Sequence, residues 1–434
     1  MANKSKVRKN VKIPRETLFE RPNGVSEILP KDQEWRKVIW QTGQMVSELH
    51  DFYFMETPLL EQAELFESAA GSLKEDFGKQ LYVIKNREGG RLALRFNSYV
   101  PILRSYLEHR LAYFASPLKV YHTGSFLRQI KIKPGFNRQF RVWGFEVIGE
   151  ADSIYDGEVI LAIIDFLKAL KLKNLVLKIG TAGCRVCRPG FAQKLRNYYR
   201  NHKDEICRNC VKNLDGNPML LAACPEEKCR PVKEKAPIIL DYLCQSCNNH
   251  LKAVLELVED NGIAYEPNPY LLPTDNFMNR TVFEIFAPPF ELPVATGSRY
   301  DYLAEALGGR VTPSVGGALG IERVIEAMKR QEIVPHAKSK PKVFFVVIGD
   351  QAKKSALKLM NQLRSSGVAV VEVVGKKTLK AQLKIAERMN ITLALLLGQK
   401  EVFEGTVMIR DMVSGVQETV LTEKLVEEVK KRLH

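Results

Sequence analysis

The chain has 434 residues, 45% hydrophobic and 26% charged, a composition of folded globular domains that excludes fibrous and wholly disordered classes. No apolar run reaches the roughly 18 residues of a membrane span, and the N-terminus lacks an apolar signal region, so a cytoplasmic location is expected. A formal net charge of +15 and a pI near 9.3 point to an anionic partner, most commonly nucleic acid.

Residues 1–15 hold Lys4, Lys6, Arg8, Lys9, Lys12 and Arg15 with no acidic residue before Glu16. Such a segment cannot bury a core and is expected to be a basic flexible arm over 1–16. Order is expected from Pro22-Asn23-Gly24, with a helix over 35–49. Residues 54–66 (FMETPLLEQAELF) read as strand-like, and Pro58 suits an edge or kinked strand at an interface. A strand over 91–95 and a helix over 102–111 follow.

Residues 121–150 organise the chain. Segments 120–126 and 139–148 are β-prone, and 131–137 contains Pro134-Gly135 and must turn. Arg128 stands before the turn and Arg138 after it. A basic hairpin of this kind suits nucleotide phosphate or an RNA backbone; taken alone, it equally fits a surface hairpin with solvated arginines. Next, 156–171 places Val159, Ile160, Ile163, Ile164, Phe166 and Leu167 on one broad helical face.

All eight cysteines then fall in one span: Cys184 and Cys187, Cys207 and Cys210, Cys224 and Cys229, Cys244 and Cys247. Four close pairs suit tetrahedral zinc, which takes thiolates two at a time from tight turns. Structural disulfides are disfavoured in a cytoplasmic chain. Free thiols are the alternative, and spacing does not reveal which pairs would share an ion. Any zinc here would be structural, because four thiolates leave no open position.

From residue 265 the strand pattern resumes, with strands expected over 281–286 and 315–319 and a helix over 320–329 carrying Arg323. A linker is expected over 331–342. Beyond it come strand 343–348, helix 353–363, strand 368–374, helix 378–386, strand 392–397, a hairpin around Ser414-Gly415 and a final helix. That alternation predicts a small α/β domain with a mostly parallel sheet. There is no internal repeat.

In order along the chain stand GVSEILP (24–30), ETPLLEQAELF (56–66), NRQF (137–140), GFEVIGE (144–150), NRTVFE (279–284), GSRYDYL (297–303) and PSVGGALGIER (313–323). LKAQLKIAERMN (379–390) and EGTVMIRD (404–411) follow. By these segments the chain resembles the histidyl-tRNA synthetases, a class II aminoacyl-tRNA synthetase family, over almost its whole length. The resemblance implies an α+β catalytic core over 17–174 and 263–330 built on a six-stranded antiparallel sheet. It also implies a Cys-rich insertion domain over 175–262 and a C-terminal α/β anticodon-binding domain over 343–434. ATP with Mg2+, an amino acid and tRNA are the implied ligands, and the implied assembly is a homodimer formed through 54–66.

By the same resemblance Arg128 grips the α-phosphate of ATP and Arg323 the γ-phosphate, as catalytic residues. Bidentate guanidinium–phosphate pairing is the chemistry behind both. Glu146 matches the acidic residue that faces the imidazole ring, and Tyr300 the tyrosine of the second histidine motif. The amino-acid pocket departs from the family at several positions. Asn97 replaces the carboxylate that pairs with the α-ammonium, Tyr99 a threonine, and Val142 a glutamine. Pro273 stands where the family has its adenylate-forming arginine, and Phe277 and Met278 replace two tyrosines. Ile130 and Phe136 replace a glutamate and an arginine in the hairpin loop.

The resemblance therefore implies a histidine–tRNA ligase. The clustered replacements keep an alternative open, a catalytically degenerate paralogue that binds tRNA or regulates. The regulatory paralogue of ATP phosphoribosyltransferase lacks the anticodon-binding domain, and residues 343–434 argue against it.

Overall fold

The computed structural model describes residues 19–70, 78–272, 277–335, 342–373 and 378–433. The basic arm, Pro273 and half of the expected linker (336–341) lie outside these residues. Two compact units make up the chain, Met1–His336 and Ala337–His434.

The first unit contains β1 (Tyr53–Phe54), β2 (Leu60–Gln62), β3 (Val83–Lys85), β4 (Arg91–Leu94), β5 (Leu118–Leu127), β6 (Gln139–Ile148), β7 (Val176–Thr181), β8 (Tyr265–Pro267), β9 (Asn279–Ala287), β10 (Phe290–Arg299) and β11 (Ser314–Gly320). Its main sheet has eight strands in the order β1-β5-β6-β11-β10-β9-β7-β8. The six inner strands are antiparallel, as expected, but β1 and β8 add a parallel strand at each edge. Strands β2, β4 and β3 form a separate small sheet.

Strand alternation gives the main sheet two buried faces. On one face Trp143, Phe145 and Val147 of β6 pack with the helices Gln33–Leu49 and Ile154–Ala169. The second of these helices is rich in Ile and Val, each of which costs roughly half a kcal/mol of helix propensity against Ala. Burying each such side chain contributes roughly 1.5–3 kcal/mol. Val159, Ile160, Ile163 and Leu167 are fully buried, so packing outweighs propensity and the helix holds. On the other face Val120 and Ile148 meet Phe96, Val100, Phe277 and Tyr300. The candidate site is built on this second face.

Several expectations are corrected. The stretch 54–66 is not one strand: Pro58 sits between β1 and β2, and a helix starts at Ala63. Ala63, Phe66, Ala69 and Ala70 recur at helical spacing and are all buried. The helix expected over 102–111 spans Tyr99–Glu108, which puts Tyr99 in its first turn. The insertion boundaries of 175–262 are too wide. β7 pairs with β9 in the main sheet, and Val254 and Val258 of the helix Gln245–Asp260 belong to the main core. Between them, Phe191, Leu195, Tyr199, Ile206, Leu214, Leu221, Val232 and Ile239 form a separate small core. β10 lies where no strand was expected.

A buried polar network ties this region to the sheet. Arg299, fully buried, contacts Asp156 at 3.2 Å and Asp301 at 3.4 Å. His250 lies 3.2 Å from both Asp156 and Thr281 Oγ1, and Asn279 donates to Asp301 at 2.7 Å.

The second unit contains β12 (Lys342–Val347), β13 (Ala369–Glu372), β14 (Leu393–Leu397), β15 (Thr406–Asp411) and β16 (Gln417–Leu421), in the order β13-β12-β14-β15-β16. Its sheet is mixed rather than mostly parallel: β12 pairs in parallel with β13 and β14, while β14–β15 and β15–β16 are antiparallel. Strand β12 is buried on both faces, Val343 and Phe345 toward the helix Asp350–Ser365 and Phe344 and Val346 toward the helix Leu379–Arg388. That explains its unbroken apolar run. Gln382, fully buried, satisfies the strand end by accepting from Val347 N at 3.0 Å and donating to Val347 O at 2.8 Å.

Candidate active site

The hairpin of β5 and β6 is regular over ten residue pairs, from Leu118–Ile148 to Leu127–Gln139. Arg128 N then donates to Arg138 O at 2.8 Å, extending the ladder by one step before the loop. Gly135 turns the tip with φ of +74°, a conformation glycine adopts without strain. Arg128 lies over the Phe140 ring, its guanidinium carbon 3.9 Å from the centroid. Its Nε is buried and has no acceptor among the described residues.

Arg323 reaches the same loop from the helix Ile321–Arg330. Its guanidinium donates to Gly135 O from Nε and Nη2, both at 3.3 Å, and to Pro293 O at 3.0 Å. The neighbouring Glu322 anchors this helix by accepting from Arg36 at 3.0 Å, Arg141 Nη1 at 3.1 Å and Arg141 N at 2.9 Å. Burial pushes both site guanidiniums below the ordinary arginine value. Tyr99 opposes the shift of Arg128, and the positive charge of Arg323 deepens it. Two half-buried cations that repel each other across one loop suit a polyanion, which would relieve both costs.

Deeper on the same face, Glu146 accepts from Tyr300 Oη at 2.5 Å, and His122 Nε2 lies 3.4 Å from its other oxygen. His122 Nε2 is buried and makes no hydrogen bond among the described residues. Glu146 is only 2% exposed. Two glycines make room for this group. A Cβ at Gly316, the β11 partner of Glu146, would overlap the carboxylate, and one at Gly144 would overlap the His122 ring. Burial pushes the Tyr300 hydroxyl far above the ordinary tyrosine range, and the adjacent Glu146 reinforces the shift.

The loop that precedes the helix Tyr99–Glu108 supplies the rim. Arg95, buried, donates to Thr57 O, to Thr57 Oγ1 at 3.0 Å and to Ser125 O at 3.3 Å, which pins the loop to the hairpin. Asn97 Oδ1 accepts from Val100 N at 3.4 Å, while Nδ2 is buried without an acceptor among the described residues. The Val100 donor fixes the orientation of this amide, so Asn97 offers the site an N–H and not an oxygen. The Tyr99 ring sits 5.7 Å from both Phe277 and Tyr300.

The structure thus brings together Arg128, Arg323, Asn97, Tyr99, Glu146, Phe277 and Tyr300. Val142 takes part through its backbone, accepting from Thr123 Oγ1 at 2.9 Å beside Gly124. Met278 is half-buried at the edge, its carbonyl accepting from Arg188 at 2.7 Å. His122 went unnoticed in the sequence, although it shares a strand face with Val120. So did Glu284, whose carboxyl is raised by burial against the opposing pull of Lys178 and Arg323.

The cysteines form two groups, Cys184, Cys187, Cys244 and Cys247, and Cys207, Cys210, Cys224 and Cys229. Among the described residues, no helix is long and apolar enough to cross a membrane.

Residues 24–324 match the family model described as histidyl-tRNA synthetase, and 342–432 match an anticodon-binding domain. A histidine–tRNA ligase of Dehalococcoides mccartyi is 35% identical over 419 residues, covering 96% of this chain and all of that protein. One from Natranaerobius thermophilus is 33% identical, covering 95% of this chain and 99% of its own length. The apo crystal structure of the S. aureus histidyl-tRNA synthetase superposes with a TM-score of 0.79 at 26% identity. It covers 95% of this chain and 100% of that one.

Proposed function

Because this chain belongs to the histidyl-tRNA synthetase family, we propose that it is a histidine–tRNA ligase that uses the face around Arg128, Arg323 and Glu146. In the first step a histidine carboxylate oxygen attacks the α-phosphorus of ATP. The bond to the bridging oxygen of the β-phosphate breaks, and pyrophosphate leaves with the electron pair. In the second step the terminal ribose hydroxyl of tRNA attacks the acyl carbon, and AMP leaves.

Arg128 holds the α-phosphate and Arg323 the γ-phosphate, neutralising charge as it shifts toward the leaving group. Mg2+ accompanies ATP as part of the substrate and neutralises its phosphates. Glu146, steadied by Tyr300, accepts from the imidazole N–H of the substrate, and His122 lines the same recess. Asn97 Nδ2 is suited to the substrate carboxylate. The cysteine groups carry no step of this chemistry. The basic charge and the second unit serve tRNA, and a second copy of the chain covers the exposed Tyr53, Phe54, Leu59 and Leu60.

The observation that carries the reading is the meeting of two half-buried guanidiniums, from separate elements, at one hairpin loop, with Arg128 Nε itself buried and unpaired among the described residues. Amino-acid-dependent ATP–pyrophosphate exchange tests it, run with all twenty amino acids. Exchange with histidine alone is expected; exchange with a different amino acid, or none, would overturn the ligase reading. One observation favours a second reading, a paralogue that binds tRNA without activating histidine. The Tyr99 ring occupies the space between Phe277 and Tyr300, where the amino acid would have to fit.

A further inference from the structure

We propose that the eight cysteines hold two zinc ions, one at each four-thiol group, in closed structural centres. Within each group the sulfur atoms all lie within 4.8 Å of one another. In the first group Cys184 is 3.7 Å from Cys187 and 3.7 Å from Cys244, and Cys187 is 3.8 Å from Cys247. In the second, Cys207–Cys224 and Cys210–Cys229 are both 3.9 Å. A tetrahedron with zinc–sulfur bonds of about 2.3 Å has edges of about 3.8 Å. The five separations given match those edges, and the remaining sulfur atoms lie close enough for one ion to gather all four. They are too far apart for disulfides, which need about 2.05 Å. A [4Fe–4S] cluster would place each thiolate on a separate iron and a [2Fe–2S] cluster would divide them between two, and both would spread the four sulfur atoms further apart than this.

The backbone gives a second, independent indication. Cys184 N donates to Cys187 Sγ at 3.0 Å and Val186 N to Cys184 Sγ at 3.4 Å. In the second group Cys207 N donates to Cys229 Sγ at 3.1 Å and Cys210 N to Cys207 Sγ at 3.5 Å. Amide donors aimed at sulfur favour the thiolate, the form that binds metal. With four thiolates each, the centres have no open position and take no part in catalysis. Binding releases the thiol protons to solvent.

The two centres do different work. The second lies within the small core of the insertion, beside Ile206, Leu214 and Val232. The first closes the neck of the insertion. It joins the turn after β7 to the start of the helix Gln245–Asp260, 60 residues along the chain. That turn is attached to the wall of the active site: Arg188 donates to Met278 O at 2.7 Å and Arg280 N to Gly183 O at 2.8 Å. Arg185 pairs with Glu305 and lies 4.0 Å from the centroid of Tyr302. The first ion therefore positions the strand that follows Phe277, and the second does not.

The test uses the full chain, purified without chelator or a metal-affinity step. Elemental analysis is expected to give two zinc per chain, with X-ray absorption showing four sulfur neighbours at about 2.3 Å. Cys184→Ser and Cys207→Ser should each lose one equivalent. Hydrogen exchange at 278–280 should rise in Cys184→Ser and stay at the wild-type level in Cys207→Ser. Folded wild-type protein without zinc whose eight thiols all react with Ellman's reagent would overturn the proposal, as would iron in its place. Equal exchange at 278–280 in both variants would overturn the division of labour. The wild-type metal content decides the main point even if both variants fail to fold.

Discussion

Gly316→Ala tests the buried acid directly, because it adds a single methyl group against one carboxylate. Gly316 pairs with Glu146 across the β11–β6 ladder, and its Cβ would overlap Glu146 Oε2. The rigid sheet cannot yield, so the carboxylate must turn away and lose its 2.5 Å bond from Tyr300. A hydrogen bond to a charged group contributes about 1.5–3 kcal/mol. If Glu146 binds the substrate imidazole, kcat/KM for histidine should fall roughly 10- to 150-fold, with little change in KM for ATP. Gly317→Ala is the control, one residue along and on the opposite face. Its Cβ would lie 2.8 Å from both Ile163 Cδ1 and Phe283 Cζ. It should instead cost about 1–3 kcal/mol of stability through overpacking, seen as a lower denaturant midpoint. Pyrophosphate exchange and equilibrium unfolding on both variants separate the effects. An unchanged kcat/KM for histidine in a folded Gly316→Ala protein would remove Glu146 from the site.

Arg128→Ala should raise KM for ATP at least tenfold in pyrophosphate exchange, and Arg128→Lys should restore little of it, since an ammonium cannot make the bidentate contact. Asp156→Ala leaves Arg299 buried without one of its two partner carboxylates and should cost about 3–5 kcal/mol in urea unfolding; the double change Asp156→Ala with Arg299→Met should cost less than Asp156→Ala alone. Glu284 gives a pH dependence. Its folded pKa is raised by burial, so the folded state holds the proton more tightly than the unfolded chain. Stability should therefore decline as pH rises from the ordinary glutamate pKa of about 4.3 through the raised one, and Glu284→Gln should abolish that part of the decline in urea titrations at stepped pH.

What was legible in the sequence follows from how local its cause is. β6 falls on 139–148 as read, because alternating apolar residues and a Pro-Gly turn are decided within the hairpin itself. The helix Ile154–Ala169 was equally plain, since its apolar face is decided by burial. β10 was not, because Pro293 and Gly297 weaken its pattern and only pairing with β9 and β11 holds it as a strand. β7 was absorbed into the insertion for the same reason: its membership of the main sheet depends on β9, about a hundred residues later. The run 54–66 misled because its apolar residues fit an extended reading as well as a helical one, and only burial of Phe66 decided for the helix.

The site follows the same rule. Arg128 and Arg323 were legible as resembling a family pattern, yet nothing in composition or spacing says that a helix at 321–330 returns to a loop at 135. Glu146 is more telling. As one acidic residue in an apolar strand it could have been a lone strained charge, and what makes it tolerable lies elsewhere: Tyr300 donates to it, His122 flanks it, Gly316 leaves it space and Gly144 leaves space for His122. Two of these four partners are glycines, whose contribution is the side chain they lack. The alternation that sends Phe145 and Val147 into the helix-covered core sends Glu146 to the opposite face, so core and site are specified by one strand at once. A substitution that slipped β6 by a single residue would bury the acid in the helix-covered apolar layer and turn Phe145 and Val147 onto the site face. The register of that strand, more than any single side chain, therefore decides whether the site exists.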